Sequence, residues 1–175
     1  MPNDLYILSG VDLRRADRAS NGRPLTITKL GLPAIKHMTA EHNPGGGVGQ
    51  VKVVFPQIEA PEPKFELKGL DEDLVSGMGV TDGTLNLWTF AGGYRNHRTG
   101  VTVPGRAVIR GIIAEMEPDE FSVGELAGCN YAIHEVTHYE FTLGEKELWY
   151  WDFFERINRR NGVDLMAPLR QALGG

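Results

Sequence analysis

The sequence has a single cysteine and lacks any apolar stretch long enough to cross a membrane. Cys129 alone cannot form an intramolecular disulfide, and we interpret it as a small buried hydrophobic residue. No segment approaches the ~20 consecutive apolar residues that a membrane-spanning helix needs, and the polar N-terminus has no signal-peptide core. We therefore expect a protein made in a cytoplasm, with no membrane partner.

The chain also lacks an excess of positive charge. It has 18 lysines and arginines against 23 aspartates and glutamates, which gives a net charge of -5 over 175 residues. Without an overall basic field, retention of nucleic acid by counterion release is not expected. The remaining composition, 41% hydrophobic and 23% charged, suits a single domain over residues 1–175.

Glycine is concentrated in one run that has no phosphate-binding motif around it. The run consists of Pro44, Gly45, Gly46, Gly47 and Gly49, with Val48 between the last two glycines. No Lys-Ser or Lys-Thr pair follows it and no helix is predicted to begin there, so neither a P-loop nor a dinucleotide fingerprint is present. The sequence instead predicts a long exposed loop over residues 39–50.

One five-residue pattern is typical of zinc hydrolases: residues 134–138 read His-Glu-Val-Thr-His. It binds zinc when it lies on a helix, because residues four apart then share a face. Residues 131–143 are rich in β-branched and aromatic side chains and predict a strand, on which His134 and His138 lie about 13 Å apart at ~3.3 Å per residue. Two ligands of one zinc ion cannot be that far apart, so we interpret the pattern as accidental.

Two alternative functions stay open from the residues alone. The first is a zinc-dependent metallohydrolase that uses His134, His138 and Glu155 as ligands and Glu135 as general base. The second is a monomeric β-domain that binds a small ligand.

The predicted fold class is mostly β (α+β), an antiparallel sandwich or barrel-like domain of about seven strands. Asp71 is a candidate N-cap for one short helix around Leu74, and a second short helix near the C-terminus has Pro168 in its first turn. Predicted strands lie within residues 5–8, 25–32, 50–58, 63–68, 85–94 and 105–152. Predicted turns lie at Asp82-Gly83, 96–100 and 144–146.

Strand alternation assigns side chains to faces. It places His134, Val136, His138 and Glu140 on one face, and it places Arg110 and Glu115 on opposite faces. In the same way, Trp149 and Trp151 point to one side of their strand and Tyr150 to the other, so we expect one set in the core and the other at an interface. Long alternating strands also leave unpaired sheet edges, which ring closure by several copies would satisfy.

An ordered set of short motifs resembles a known family. The motifs are Leu32-Pro33 before the glycine run, Ile58-Glu59-Ala60, Phe90-Ala91-Gly92, Arg110-Gly111 with Glu115 and Pro118, Gly124-Glu125, Asn161-Gly162-Val163-Asp164 and Leu173-Gly174. In this order they resemble the major tail tube protein of contractile-tailed bacteriophages. That family also supplies the tube of R-type pyocins and is similar in fold to the type VI secretion tube.

The resemblance implies a structural, non-enzymatic subunit without a cofactor. Inner strands of six copies would join into a hexameric-ring β-barrel, and rings would stack through residues 39–50, an N-terminal arm (1–32) and a C-terminal segment (154–175). Implied partners are other copies, the tail sheath, tape measure, baseplate and tail terminator proteins, with DNA passing through the lumen unbound. The protein would reside in the virion tail, after assembly in the host cytoplasm. The strands that match channel-lining strands give these lumen-facing candidates: Lys64, Glu66, Lys68, Arg110, His134, His138 and Glu140.

Overall fold

The computed structural model describes residues 4–16, 19–79, 85–120 and 122–174. These ranges contain eleven β-strands, two short α-helices and a 3-10 turn at Ala19–Asn21. The predicted turn at Asp82-Gly83 lies outside the described residues. The strands are β1 (Tyr6–Arg15), β2 (Ile27–Gly31), β3 (His37–His42), β4 (Val51–Ile58), β5 (Lys64–Lys68), β6 (Asn86–Asn96), β7 (Thr102–Pro118), β8 (Gly128–Leu143), β9 (Lys146–Asp152), β10 (Ile157–Arg160) and β11 (Val163–Asp164). The helices are α1 (Glu72–Ser76) and α2 (Ala167–Ala172).

The described strands form one branched main sheet and a separate two-stranded hairpin. The main sheet runs in the order β1-β6-β7-β8-β9-β10-β11, and the hairpin consists of β3 and β4. The first half of β8 also pairs with β5, which in turn pairs with β2, so β8 is the branch point. Neighbouring strands are antiparallel throughout these pairings. The predicted mostly β, antiparallel class is confirmed, and the described strands form an open sheet rather than a closed barrel.

Two bulges bend the long ribbon formed by β7 and β8. Arg110 pairs with His138 and Ile112 pairs with His134, so three residues of β8 stand opposite Gly111. Glu135, within this bulge, has a left-handed backbone with φ of 50°. A second bulge leaves Ala114 of β7 without a counterpart on β8. Because each extra residue reverses the alternation of side chains, the bulges decide which residues share a face.

The hydrophobic core lies on one face of the main sheet. Leu13, Trp88, Ile109 and Ile133 are almost completely buried there, and Phe65 stacks on Tyr131 with ring centroids 5.1 Å apart. Other members of the core are Ile27, Leu67, Leu74, Phe90, Ala107, Ile113, Cys129, Val136, Tyr139 and Trp149. The interpretation of Cys129 as a buried hydrophobic residue is confirmed. Burial of these apolar side chains from water is the main force that holds the strands together.

Both short helices are present where the sequence predicts them. The Asp71 side chain accepts a hydrogen bond from the Leu74 backbone N–H at 3.1 Å, which caps α1, while Leu74 itself is buried in the core. Burial on its own would raise the pKa of Asp71, but hydrogen bonds from Arg23 and from the Leu74 amide lower it. Helix α2 has its proline in the first turn, as predicted. Neither helix, nor any other in the described part of the chain, is long and apolar enough to cross a membrane.

The structure divides the expected arm, loop and C-terminal segment into smaller parts. Residues 6–15 form β1, which pairs with β6 along its length, so this part of the expected N-terminal arm is built into the sheet. Residues 39–42 belong to β3, which leaves 43–50 as the connection between the hairpin strands. The C-terminal segment contains β10, β11 and α2. Elements that looked like extensions in the sequence are paired here because their backbone groups find sheet partners.

Candidate assembly surfaces

Two surfaces of the chain are candidates for function: the face of the main sheet opposite the core, and the hairpin. The first, called the polar face below, is formed by side chains of β5, β7, β8 and β9 that lie opposite one another in the register of the strands. Residues paired directly across antiparallel strands point to the same side of the sheet. The polar face includes Lys64, Glu66, Lys68, Arg110, Glu115, Glu117, Asn130, His134, His138, Glu140, Tyr150 and Asp152.

The structure brings all seven lumen-facing candidates onto this one face. Lys64 and Arg110 are exposed, Lys68, His134, His138 and Glu140 are half-buried, and Glu66 is only 7% exposed. The corresponding core positions on the same strands are Phe65, Leu67, Ile109, Ile133 and Tyr139. The alternation therefore separates a charged side of the sheet from an apolar one.

A chain of ion pairs crosses the β2–β5 end of the polar face. Glu66 accepts from Lys29 of β2 at 2.6 Å and from Lys68 at 3.0 Å. Lys68 also lies 3.1 Å from Asp119, just after β7. Hydrogen bonds from Lys29 and then Lys68 lower the pKa of Glu66 to about 2, against an opposing effect of burial. The hydrogen bonds to Glu66 and Asp119 raise the pKa of Lys68, against an opposing effect of burial.

A groove of about 410 Å³ runs beside this ion-pair chain. Its charged lining is mixed: Lys29 and Lys64 face Glu66, Glu115 and Glu117. Asn130, Tyr131 and Ala132 of β8 contribute to its floor. The groove has no excess of cations that would suit a phosphate site.

The two histidines of the zinc-type pattern have different partners. His134 Nε2 lies 3.0 Å from Glu115 of β7, whereas His138 Nδ1 lies 3.1 Å from Asp152 of β9. Glu155, the candidate third ligand, accepts a hydrogen bond from the Tyr150 hydroxyl at 3.2 Å. Both histidines lie in β8, so the helix that a zinc-binding pattern of this kind requires is not formed. Among the described residues, no three His, Cys, Asp or Glu side chains are grouped to hold a metal ion.

The bulges correct two predictions about faces. Strict alternation places Val136 beside His134 and His138, but Val136 is buried in the core because the bulge at Glu135 reverses the alternation. Alternation also separates Arg110 from Glu115, yet both lie on the polar face, since Ala114 adds one residue between them. The sequence has no glycine at these positions of β8 that would have indicated the bulge.

The aromatic triplet of β9 is arranged as predicted. Trp149 is buried in the core and Trp151 packs against it, while Tyr150 points to the polar face. There the Tyr150 ring meets the edge of His138, with centroids 5.2 Å apart, and the Arg159 guanidinium lies 4.4 Å from its ring centre. Arg159 also forms two hydrogen bonds of 2.7 Å with the Glu147 carboxylate.

Sequence reasoning did not identify Lys29, Asp119 or Asp152 as ion-pair partners of the candidate residues. Each lies on a different element from its partner, and the pairings depend on which strands become neighbours. Lys29 stands opposite Glu66 because β2 pairs with β5 across a long intervening segment. The one signal in the sequence was a lysine within the apolar stretch 25–32, which indicates a strand with one wet side.

The hairpin is exposed on both sides for most of its length. Met38, Val51, Val53, Val54 and Phe55 remain between 41% and 61% exposed. The turn contains Pro44, Gly45, Gly46, Gly47 and Gly49, and the Gly47 N–H donates to the Pro44 carbonyl at 3.1 Å. The base of the hairpin is attached to the body, where the Asn158 amide donates to the Pro56 carbonyl at 2.7 Å and Ile58 packs against the core. An isolated two-stranded hairpin is marginally stable in water, so this surface suits a contact with another chain.

Comparisons with known proteins agree on one family. The family model described as phage tail tube protein FII matches residues 19–174. The tail tube protein of Escherichia phage P2 is 33% identical over 85 residues, which is 49% of this chain and 49% of that protein. The match thus spans about half the length of this curated relative.

A solved structure shares the fold. A chain in the six-fold symmetrised cryo-EM structure of the anti-feeding prophage (AFP) baseplate superposes with a TM-score of 0.53 at 9% sequence identity. The superposition covers 81% of the present chain and 96% of the other. At this identity the likeness concerns the arrangement of strands.

Proposed function

We propose, from the premise that this chain belongs to the phage tail tube protein family, that it is a structural subunit of a phage tail tube. The match of the family model to residues 19–174 is the observation on which the proposal depends. Copies would polymerise as stacked hexameric rings into a hollow inner tube, through which DNA is delivered when the sheath contracts. The structurally similar chain belongs to a six-fold symmetrised assembly, which supports six subunits in a ring.

The polar face is the proposed lining of the bore. Lys64, Glu66, Lys68, Arg110, His134, His138 and Glu140 share this face, and the groove beside them has a mixed charge. A conduit for a polyanion should not hold phosphates, because each uncompensated cation on its wall would retain the strand. A charged but balanced sheet face fits that requirement better than a basic one.

The hairpin is the proposed contact between successive rings. Its exposed valines and phenylalanine belong to a strand pair that is separate from the main sheet, and its turn, Pro44 to Gly49, is exposed. Burial of these side chains against the next ring would remove apolar surface from water and stabilise a strand pair that is otherwise unsupported. Within the described chain, β1 and β2 each have one strand partner, so their free edges are the proposed contacts within a ring.

Family membership also supports the remaining assignments. The proposed partners are the tail sheath, tape measure, baseplate and tail terminator proteins, and the proposed location is the virion tail after assembly in the host cytoplasm. The role is structural and has no catalytic step, in keeping with a family named for its tube.

Negative-stain electron microscopy of the purified protein, together with sedimentation velocity, tests the proposal. We expect rings or hollow rods, and a sedimentation coefficient that rises with protein concentration. A species that remains monomeric at high concentration would contradict the tube assignment and favour a ligand-binding β-domain.

A pair of matched variants tests the role of the hairpin. Replacing Val51 and Val53 with serine should abolish rods but leave the subunit folded, because both side chains are already exposed in the single chain. The control replaces Val123 and Leu126, which are also exposed but lie outside the hairpin, and should still give rods. Rods of normal length from the hairpin variant, or equal loss in the control, would show that stacking does not depend on this hairpin.

A deletion of residues 45–49 tests whether ring stacking also depends on the turn of the hairpin. The Cβ positions of Gly45, Gly46 and Gly49 meet no other atom within 4 Å, so the turn supports no packing in the single chain. We expect an unchanged unfolding midpoint and impaired ring stacking. Tubes of ordinary length from this variant would contradict the assignment of the loop to the inter-ring contact.

A further inference from the structure

Glu66 is the one polar-face carboxylate in the described chain that is shared by two lysines. Its two oxygens divide between Lys29 at 2.6 Å and Lys68 at 3.0 Å. The Glu66 side chain is 9% exposed, whereas the Lys29 side chain is 78% exposed and the Lys68 side chain 35%. The carboxylate therefore lies beneath the ammonium groups and holds both of them against the sheet.

The neighbouring groups complete the charge balance. Lys68 has a second carboxylate, Asp119, at 3.1 Å, so the chain Lys29, Glu66, Lys68 and Asp119 contains two positive and two negative charges. Glu115 and Glu117 line the adjoining groove and stand near Lys64. Removal of the Glu66 charge alone would leave Lys29 without a carboxylate within 4 Å among the described residues.

A lysine that is paired with a carboxylate and a lysine that has no such partner differ in how they bind a phosphodiester. A lysine that already has a carboxylate partner must give up that partner to bind a phosphate, and it releases fewer counterions from the nucleic acid when it does so. A lysine without one behaves as a mobile point charge on a flexible stem, which suits phosphate binding. The Glu66 carboxylate therefore decides whether the exposed Lys29 is available to a polyanion, and it shares the half-buried Lys68 with Asp119.

We propose that Glu66 prevents this face from retaining nucleic acid, because it holds Lys29 and Lys68 in intramolecular ion pairs. The inference rests on the proposed function, in which DNA passes over the polar face. It identifies Glu66 as the residue that allows a wall with exposed lysines to remain non-binding. Glu66 acts through the lysines and does not itself contact the strand.

The test measures binding of a fluorescent single-stranded DNA oligonucleotide to the unassembled chain by anisotropy at about 50 and about 200 mM salt. Glu66→Gln should bind more tightly than the natural protein at low salt. Lys29, the one lysine left without a carboxylate partner, should steepen the log–log salt dependence by about 0.7, the value expected for one neutralised phosphate, so the gain should shrink about 2.6-fold between the two salt concentrations.

Two control variants separate the role of Glu66 from net charge. Glu145→Gln removes the same single charge from an exposed turn and should leave binding unchanged. Combining Glu66→Gln with Lys29→Gln restores the charge balance and should lose most of the gained salt dependence, because Lys68 keeps Asp119 as its partner. Equal binding by Glu66→Gln and Glu145→Gln, or a full gain that persists in the double variant, would overturn the proposal.

A second variant keeps the test valid if Glu66→Gln does not fold. Asp119 is 41% exposed, and Asp119→Asn removes one of the two partners of Lys68 without leaving a buried group unpaired. It should increase binding less than Glu66→Gln but more than Glu145→Gln, and binding no tighter than Glu145→Gln would contradict the inference. Electron microscopy of the natural protein distinguishes failure of this inference from failure of the proposed function. Absence of rods would refute the proposed tube function, whereas rods together with unchanged DNA binding by the variants would refute only the role of Glu66.

Discussion

The β7–β8 ribbon and the β3–β4 hairpin are both antiparallel strand pairs, yet they depend on their surroundings in opposite ways. The ribbon contributes Ile109, Ile113, Ile133 and Tyr139 to the core and is flanked by other strands. The apolar side chains of the hairpin before Pro56 remain exposed, and its strands pair only with each other in the described chain. The ribbon is therefore stabilised within one chain, whereas the hairpin buries little apolar surface in the single chain, which is why we propose that it contacts another chain.

The largest expected effect is on a core position of the ribbon. Ile133→Ala should lower the free energy of unfolding by about 2–5 kcal/mol, because Ile133 is fully buried and the cavity left behind cannot be filled by neighbours. Val54→Ala in the hairpin should change it by less than about 0.5 kcal/mol, since Val54 is 61% exposed. Urea denaturation of the unassembled chain checks both, and similar losses in the two variants would remove the distinction between the regions.

Glycine substitutions in the ribbon and in the hairpin provide a second comparison, with a smaller expected loss of stability. A Cβ at Gly111 would come within 2.7 Å of Ile133 Cγ2 and 2.8 Å of the His134 carbonyl oxygen. Gly111→Ala should therefore destabilise the chain by about 1–3 kcal/mol through overpacking. Gly46→Ala, with no atom within 4 Å of its Cβ, is the matched control and should be close to neutral. A neutral Gly111→Ala would mean that the bulge can shift to make room.

Glu135, the residue of the ribbon with a left-handed backbone, allows a third comparison, between two substitutions at the same position. Glu135 has φ of 50°, a conformation that glycine adopts freely and β-branched residues strongly disfavour. Glu135→Val should be less stable than Glu135→Gly by about 1–2 kcal/mol. Thermal unfolding followed by circular dichroism measures the difference, and equal stabilities would indicate that the bulge relaxes when its residue changes.

The smallest expected effect is the pH dependence linked to Glu66. Its pKa is lowered from 4.5 to about 2, so the ionised form is favoured in the folded state. The resulting stabilisation is fully present above about pH 4.5 and is lost as the pH falls towards 2. Compared with the natural protein, Glu66→Gln should lose less stability over this range in urea titrations at stepped pH. Since Lys29 is exposed and screened by solvent, the effect should weaken in high salt.

Secondary structure was largely predictable because it depends on local patterns. The β-branched and aromatic residues between 131 and 143 predicted a strand, and Asp71 predicted the cap of α1. The glycine run was recognisable as a turn, but residues 39–42 form β3 because the backbone found a partner in β4. The opposite orientations of Trp149 and Tyr150 also followed from alternation, whereas the structure shows that Trp149 is on the core side.

The sequence placed seven candidate residues on what the structure shows to be one polar face, but it did not predict their ion-pair partners. All seven candidates lie on this face, yet their ion-pair partners, Lys29, Asp119 and Asp152, come from other strands and loops. Alternation failed for Val136 and Glu115, where a bulge intervenes. No residue type at those positions signals an extra residue, so the register is an outcome of packing.

Local sequence patterns were sufficient to predict that the chain is mostly β, that residues 134–138 lie in a strand and not in a helix, and that one side of each long strand is apolar. These properties follow from side-chain branching and from a two-residue alternation, both of which act over a few neighbouring positions. The tertiary structure decided that β8 branches to β5 and β9, that Glu66 lies between Lys29 and Lys68, and that the hairpin stays uncovered. Those outcomes depend on which distant strands pair and where their register shifts, and that is settled when the whole core packs.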